Sequence, residues 1–209
     1  MRGLLLLSAF GVLSSLAAPA AAQDTPQNRQ ACDGSEPAYS LAQQVAGCTA
    51  VINAGTATTA DLATEFYYRG IAYQGQNQYA RAIADYDQAI RLKPDFAAAF
   101  YNRGNAYHDQ NQYARAIADY DQAIRLKPDF ALAFDNRGIA YFLQGKYSRA
   151  IADYDQALRL DGSNADYYYD RGVAELRLGL SAKGHADIAR AIKANPTVAA
   201  ERAERGVKP

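Results

Sequence analysis

Residues Gln76 to Ala97 recur without a single change as Gln110 to Ala131, 22 residues at an offset of 34. A looser third copy follows at the same offset and ends in Tyr154-Asp155-Gln156-Ala157-Leu158-Arg159-Leu160. A degenerate fourth ends at Asn195-Pro196. A fixed period of this length describes a stack of small supersecondary units, not a compact enzyme domain around one central core. The frames fall at 63–96, 97–130, 131–164 and 165–198.

Within the frame, the recurring residues form two helical stripes. Position 4 is Phe66, Phe100, Phe134 and Tyr168, and position 8 is Gly70, Gly104, Gly138 and Gly172. Position 11 is Tyr73, Tyr107 and Tyr141, then Glu175. Position 20 is Ala82, Ala116 and Ala150, then Gly184. Position 24 is Tyr86, Tyr120 and Tyr154, then Ile188, and position 27 is Ala89, Ala123, Ala157 and Ala191. Steps of four and three put each trio on one face of a helix. Small residues at 8 and 20 let the two backbones approach, and the aromatics fill the space beside them. Position 32 is Pro94, Pro128 and Pro196, with Gly162 in the third copy. Pro cannot continue a helix, so it punctuates the unit. The expected fold is an all-α solenoid of antiparallel helix pairs. A lone pair cannot bury its apolar face, so stability is shared along the array.

These positions resemble the tetratricopeptide repeat, with its large residue at 4, Gly at 8, Tyr at 11, Ala at 20, an aromatic at 24, Ala at 27 and Pro at 32. The resemblance covers residues 63–198 and implies a right-handed superhelix with a concave ligand groove. It also implies that the first helix of each pair lines the groove, mainly through positions 2, 5, 6, 9, 12 and 13. Carried onto this chain, those positions include Tyr67, Tyr101, Asn102, Asn105 and His108, then Asp135, Asn136, Phe142 and Tyr169. Tyr and Asn suit a peptide, offering amphipathic area and hydrogen bonds. Some family members clamp a carboxylate terminus with Lys, Asn and Arg. Asn105 and Asn136 match the Asn pair, but Tyr101, Asp166 and Asp170 stand where the clamp cations would be. The expected partner is therefore a neutral or basic protein segment. A self-stacking assembly module and, at lower weight, a glycan-binding groove are the alternatives.

One feature departs from the family pattern. Position 7 is Arg69, Arg103, Arg137 and Arg171, and position 23 is Asp85, Asp119, Asp153 and Asp187. The expectation is a structural ladder of Arg–Asp bonds between helices, because the planar guanidinium matches a carboxylate with two bonds. The Asp-Tyr-Asp recurrence (Asp85/Asp87, Asp119/Asp121, Asp153/Asp155) is not read as a metal site. Residues two apart on a helix point to opposite sides.

Residues 1–22 read as a secretory signal peptide: Arg2, an apolar stretch from Leu4 to Leu16, and Ala20-Ala21-Ala22 before Gln23. Export, most simply to a periplasm and otherwise by secretion, places the chain in an oxidising compartment. There, Cys32 and Cys48 are expected to form a structural disulfide, with Cys32 ahead of a helix and Cys48 within it. Residues 23–62 would then hold a tail and a disulfide-pinned capping half-repeat. Its helix is expected over 38–54, and Thr58 to Asp61 would start the next. Residues 199–209 would be a truncated, charged, solvating cap.

Composition closes other routes. The 22 basic residues balance 22 acidic ones, which argues against an electrostatic nucleic-acid binder. Two Cys and two His leave little for a zinc module, and no cofactor or metal is expected. His108 and His185 lie far apart, no Ser has a neighbouring His, and no phosphate-binding Gly-rich motif occurs. No catalytic residues and no enzyme activity are therefore expected. The 16 Tyr are largely architecture, since 13 of 23 aromatics sit at positions 4, 11, 17 and 24.

Overall fold

A computed structural model of the chain describes residues 23–35 and 39–208. The expected leader lies outside these residues. Among the described residues there are eleven helices and no strand: α1 (Pro26–Asp33), α2 (Leu41–Ala54), α3 (Thr59–Gly75), α4 (Tyr79–Leu92), α5 (Ala97–Asp109), α6 (Tyr113–Leu126), α7 (Ala131–Leu143), α8 (Tyr147–Leu160), α9 (Ala165–Arg177), α10 (Ser181–Ala194) and α11 (Val198–Glu204). Consecutive helices pack, and α3, α5, α7 and α9 also contact one another in order, forming one face. No described helix is long and apolar enough to cross a membrane.

The turns follow from sequence. Frame position 15 is left-handed in all four repeats, at Asn77 (φ 58°), Asn111 (φ 59°), Gly145 (φ 72°) and Gly179 (φ 79°). Asn and Gly are the residues that enter this region at least cost. Thr58 caps α3 by accepting from the Asp61 amide, and Ser40 with Gln43 forms a capping box on α2.

Gly at position 8 is set by contact. A Cβ on Gly70, Gly104 or Gly138 would lie 2.6–2.7 Å from the ring of Tyr86, Tyr120 or Tyr154 in the partner helix. In the fourth repeat Ile188 replaces that Tyr and Gly184 replaces Ala. There the two backbones meet directly, and a Cβ on Gly172 would lie 2.7 Å from the Gly184 carbonyl oxygen.

Each Arg at position 7 bonds the Asp at position 23 of its own pair through two nitrogens. For Arg103 and Asp119 the distances are 2.7 and 2.6 Å, and for Arg137 and Asp153 they are 2.8 and 2.6 Å. Arg69 with Asp85 and Arg171 with Asp187 repeat the geometry. The third nitrogen reaches back to the preceding repeat. Arg137 bonds Asp121 at 2.6 Å and Arg171 bonds Asp155 at 2.7 Å, while Arg103 does the same to Asp87. The second Asp of each Asp-Tyr-Asp thus joins neighbouring units. Arg69 has no preceding full repeat and bonds Thr49 of α2 at 3.2 Å instead. Burial acts against the Arg103 charge, but its bonds to Asp119 and Asp87 outweigh it and raise its pKa.

At the N-terminal end, Cys32 and Cys48 are disulfide-bonded and fully buried between α1 and α2. Cys32 precedes α2, which holds Cys48, but it lies in a helix of its own, α1, that was not expected. Thr25 caps this helix and Pro26 occupies its first turn, a start signal that a polar eight-residue segment with little periodicity obscures. The α2 helix begins at Leu41, and residues 36–38 lie outside the described set. Among the described residues, Cys32, Cys48 and Glu65 are the one cluster with metal-ligand spacing. Its two sulfurs are bonded to each other and offer no thiolate.

Candidate functional site

The face formed by α3, α5, α7 and α9 carries the sequence-predicted groove residues, and it divides into two halves. In the N-terminal half, neighbouring repeats are joined by amide–phenol bonds. Asn102 Nδ2 donates to the Tyr67 hydroxyl at 3.0 Å, and Asn136 Nδ2 donates to the Tyr101 hydroxyl at 2.9 Å and to Asn105 Oδ1 at 2.8 Å. Tyr67 packs on Phe96 and Tyr101 on Phe130, with ring centroids 4.8 and 4.7 Å apart. These two Tyr therefore hold the repeats together, and Tyr101 also lines a cavity. Asn105 Oδ1 also accepts from Tyr120 at 2.8 Å.

Here the surface opens into a cavity of about 620 Å³. It is lined by Gln74, Tyr101, Asn105, His108, Asp109, Asn111, Tyr113, Leu132, Asn136 and Leu143, with Glu204, Arg205 and Gly206 as the far wall. His108 packs against Tyr113 with the rings tilted by 59°, and its Nε2 is buried without a hydrogen-bond partner. Aromatic, amide and imidazole groups in one concavity fit a segment that offers both apolar area and hydrogen-bonding groups.

The C-terminal half is filled by the chain itself. Asp135, Asn136, Phe142 and Tyr169 are all buried, at 2%, 6%, 7% and 2% exposure. What buries them is the segment after Pro196. Val198 and Val207 are fully buried in one cluster with Ile139, Phe142, Tyr169 and Val173. Arg202, 3% exposed, donates Nε to Asp170 Oδ1 at 2.9 Å and Nη2 to Asp135 Oδ2 at 3.1 Å. Its Nη2 also bonds Asp170 Oδ2, and its Nη1 lies 3.4 Å from Asp166. Arg205 donates to Asn136 Oδ1 at 2.6 Å. The expectation of a solvent-facing charged cap does not hold for Arg202. Three of the nine predicted groove residues, Asp135, Phe142 and Tyr169, lie beneath this segment and are not open to an outside partner, while Asn136 is covered by Arg205 but still borders the open cavity. The reason is charge: three carboxylates on α7 and α9 face the concave side, and the nearest basic residues are on the tail.

Desolvation is the largest influence on Asp170 and raises its pKa. The Asp135 carboxylate adds to the rise and Arg202 opposes it. Arg202 is held firmly charged by Asp135, Asp170 and Asp166 despite its burial.

Sequence reasoning missed Arg202, Arg205 and Val207. One signal was available. Position 4 is aromatic in all four frames, and Arg202 falls at position 4 of a fifth frame begun at Ala199. An Arg there cannot play the aromatic's part in a further repeat.

The TPR repeat family model matches residues 70–111, 104–145 and 138–179. Among solved structures, the chain is similar to MamA 41-end from Desulfovibrio magneticus RS-1. That match has TM-score 0.71 and 18% identity, and covers 83% of this chain and 97% of that one. It is similar also to YrrB, described as a TPR protein with an unusual peptide-binding site, with TM-score 0.66, 20% identity and coverages of 81% and 83%. A third match is the first TPR of Spaghetti (RPAP3) bound to the HSP90 peptide SRMEEVD. It has TM-score 0.57 and 26% identity, over 60% of this chain and 99% of that one. No curated protein matches. With three overlapping family matches laid on the four observed helix pairs, the chain belongs to the tetratricopeptide repeat family.

Proposed function

We propose that this chain is an exported scaffold that binds a protein or peptide segment in its concave groove. The observation that carries the reading is the open cavity beside α5, with Tyr101, Asn105, His108 and Asp109 on one side and the chain's own tail on the other. Two similar structures, YrrB and the RPAP3 domain, are described as peptide-binding proteins, and their fold is shared here. The peptide held by the RPAP3 domain is acidic. In this chain Asp109 and Glu204 line the open cavity against Arg205, so a neutral or basic segment is the better match. Export is supported by the leader-like residues 1–22 and by the disulfide, which persists in oxidising compartments.

The test is capture from an extract of the source cells. Wild-type chain and chains carrying Tyr101→Ala or His108→Ala serve as bait, each checked for native helix content. Loss of the same captured protein with both variants supports the groove. Equal recovery with all three removes it. N-terminal sequencing of the secreted or periplasmic fraction checks cleavage before Gln23.

Self-stacking is the second reading. Leu178, Leu180 and Ile192 on the terminal helix pair are 42–44% exposed, and apolar residues on an end face can carry end-to-end contact. Mass growth with concentration in light scattering, without any partner, supports it.

A further inference from the structure

We infer that the concave surface of α7 and α9 is a receptor site for an arginine on a partner segment. The chain's own C-terminal segment occupies it as a displaceable internal ligand. The inference rests on the reading of the groove as a peptide site and specifies the chemistry its C-terminal half takes.

The site is built for cations: its three carboxylates face two guanidinium groups, Arg202 within it and Arg205 with Nη1 3.8 Å from Asp135. Asp135 and Asp170 are 2% and 0% exposed, and Asp166 stands at the rim. A single guanidinium, that of Arg202, bonds all three. A packing cap requires none of this. At the two preceding joints the equivalent face is closed by neutral bonds, Asn102 to Tyr67 and Asn136 to Tyr101.

A second observation is independent of the carboxylates. The Tyr154 hydroxyl is completely buried and has no hydrogen-bond partner. Its counterparts are satisfied on the groove side, Tyr86 by Gln74 and Tyr120 by Asn105. In the third repeat Ile139 stands where the second has Asn105, so that partner is gone. Tyr154 lies in one buried cluster with Val198 and Val207 of the tail and with Ile139 and Val173 beneath them. A buried hydroxyl left unpaired costs stability, and a ligand that supplies its partner recovers that loss. The tail supplies none.

The tail is also attached in a way that allows release. The α11 helix has seven residues and no side-chain cap, and three residues, Asn195 to Thr197, connect it to α10. It lies outside the Gly–Tyr packing that joins the two helices of each of the first three pairs. Its removal would uncover α7 and α9 without parting either from its own second helix. Its anchors are Val198, Arg202 and Val207, so the matching ligand is an arginine flanked by aliphatic residues. Arg205 and Glu204 also wall the open cavity. A segment that displaced the tail would therefore run from the open half of the groove into this one.

The test uses a fluorescein-labelled peptide copying residues 195–208 and a control peptide with Ala in place of its first Arg. Both are titrated by fluorescence anisotropy into the full disulfide-bonded chain, into Arg202→Ala, and into Arg202→Ala with Asp170→Asn. A tethered tail competes at about millimolar effective concentration. Arg202→Ala should therefore bind the peptide at least about tenfold more tightly than wild type. The control peptide and the double variant should lose that gain. An Arg202→Ala chain with native helix content that does not bind the peptide overturns the inference.

A second measurement needs no variant. Excess unlabelled peptide added to wild type should speed hydrogen exchange in residues 198–207 and leave α3 to α6 unchanged. No change at millimolar peptide also overturns it. The general groove reading depends on the Tyr101 and His108 captures. A negative peptide result beside a positive capture sinks this inference alone.

Discussion

A guanidinium with three bonded nitrogens is the smallest unit that explains the order of this chain. Arg103 ties its own helix pair through Asp119 and ties the pair to its predecessor through Asp87. Its carboxylate partner Asp119 is nearly buried, so truncation leaves a charge without a partner. Arg103→Ala should cost about 3–5 kcal/mol in urea unfolding. Arg103→Lys should recover only part, because an ammonium cannot present the planar fork. An unchanged urea midpoint for Arg103→Ala would show that the ladder carries no stability. The within-pair half of this contact was legible, since Arg and Asp recur 16 residues apart in every frame. The between-pair half was not. Two carboxylates on opposite sides of one helix look unrelated until a neighbouring repeat supplies the bond. Gly104 makes the same point about size. A methyl there would lie 2.7 Å from the Tyr120 ring, which is itself buried. Gly104→Ala should therefore lose about 1–3 kcal/mol, despite alanine's better helix propensity.

Among the helices, the two end pieces differ most from the repeat. At the N-terminal end, α1 is short and polar, and its place depends on the bond from Cys32 to Cys48. Cys48→Ser should lower stability by about 3 kcal/mol on the chain-entropy account. Limited proteolysis would then cut within residues 23–35 well before the repeats. At the other end, stability should depend on pH through Asp170. Burial raises its pKa relative to the unfolded chain, Asp135 from α7 adds to the rise, and Arg202 from α11 opposes it. A carboxyl whose pKa rises on folding contributes its stability in full below the ordinary carboxylate range, and that contribution is lost as pH rises through the raised value. Urea unfolding should therefore show the chain losing stability from mildly acidic to alkaline pH. Asp170→Asn should flatten the trend, and an unchanged slope in that variant would rule out Asp170 as its source.

At the scale of the whole molecule, the period alone announced the architecture. Repeat positions 8, 20 and 24 make contacts within a unit or to the next one, and such local contacts leave a periodic trace in sequence. The tail left none, because its contacts are long-range. Arg202 reaches Asp135 across 67 residues and Arg205 reaches Asn136 across 69. A frame-by-frame reading could find the acidic groove without finding what fills it. This difference has a thermodynamic consequence. An array of nearest-neighbour units unfolds gradually from its weaker end, and any element that spans two units raises their cooperativity. The tail spans α7 and α9 and so couples the third and fourth repeats. That pair needs the coupling, because the fourth repeat lacks the Tyr at position 24 and packs through glycine backbones instead. Arg202→Ala should thus act regionally. Hydrogen-exchange protection should fall in α9 and α10, remain in α3 to α6, and the urea m-value should drop as the C-terminal repeats melt separately. A uniform loss of protection along all four repeats would show instead that the chain unfolds as one unit and that the tail is an ordinary part of it.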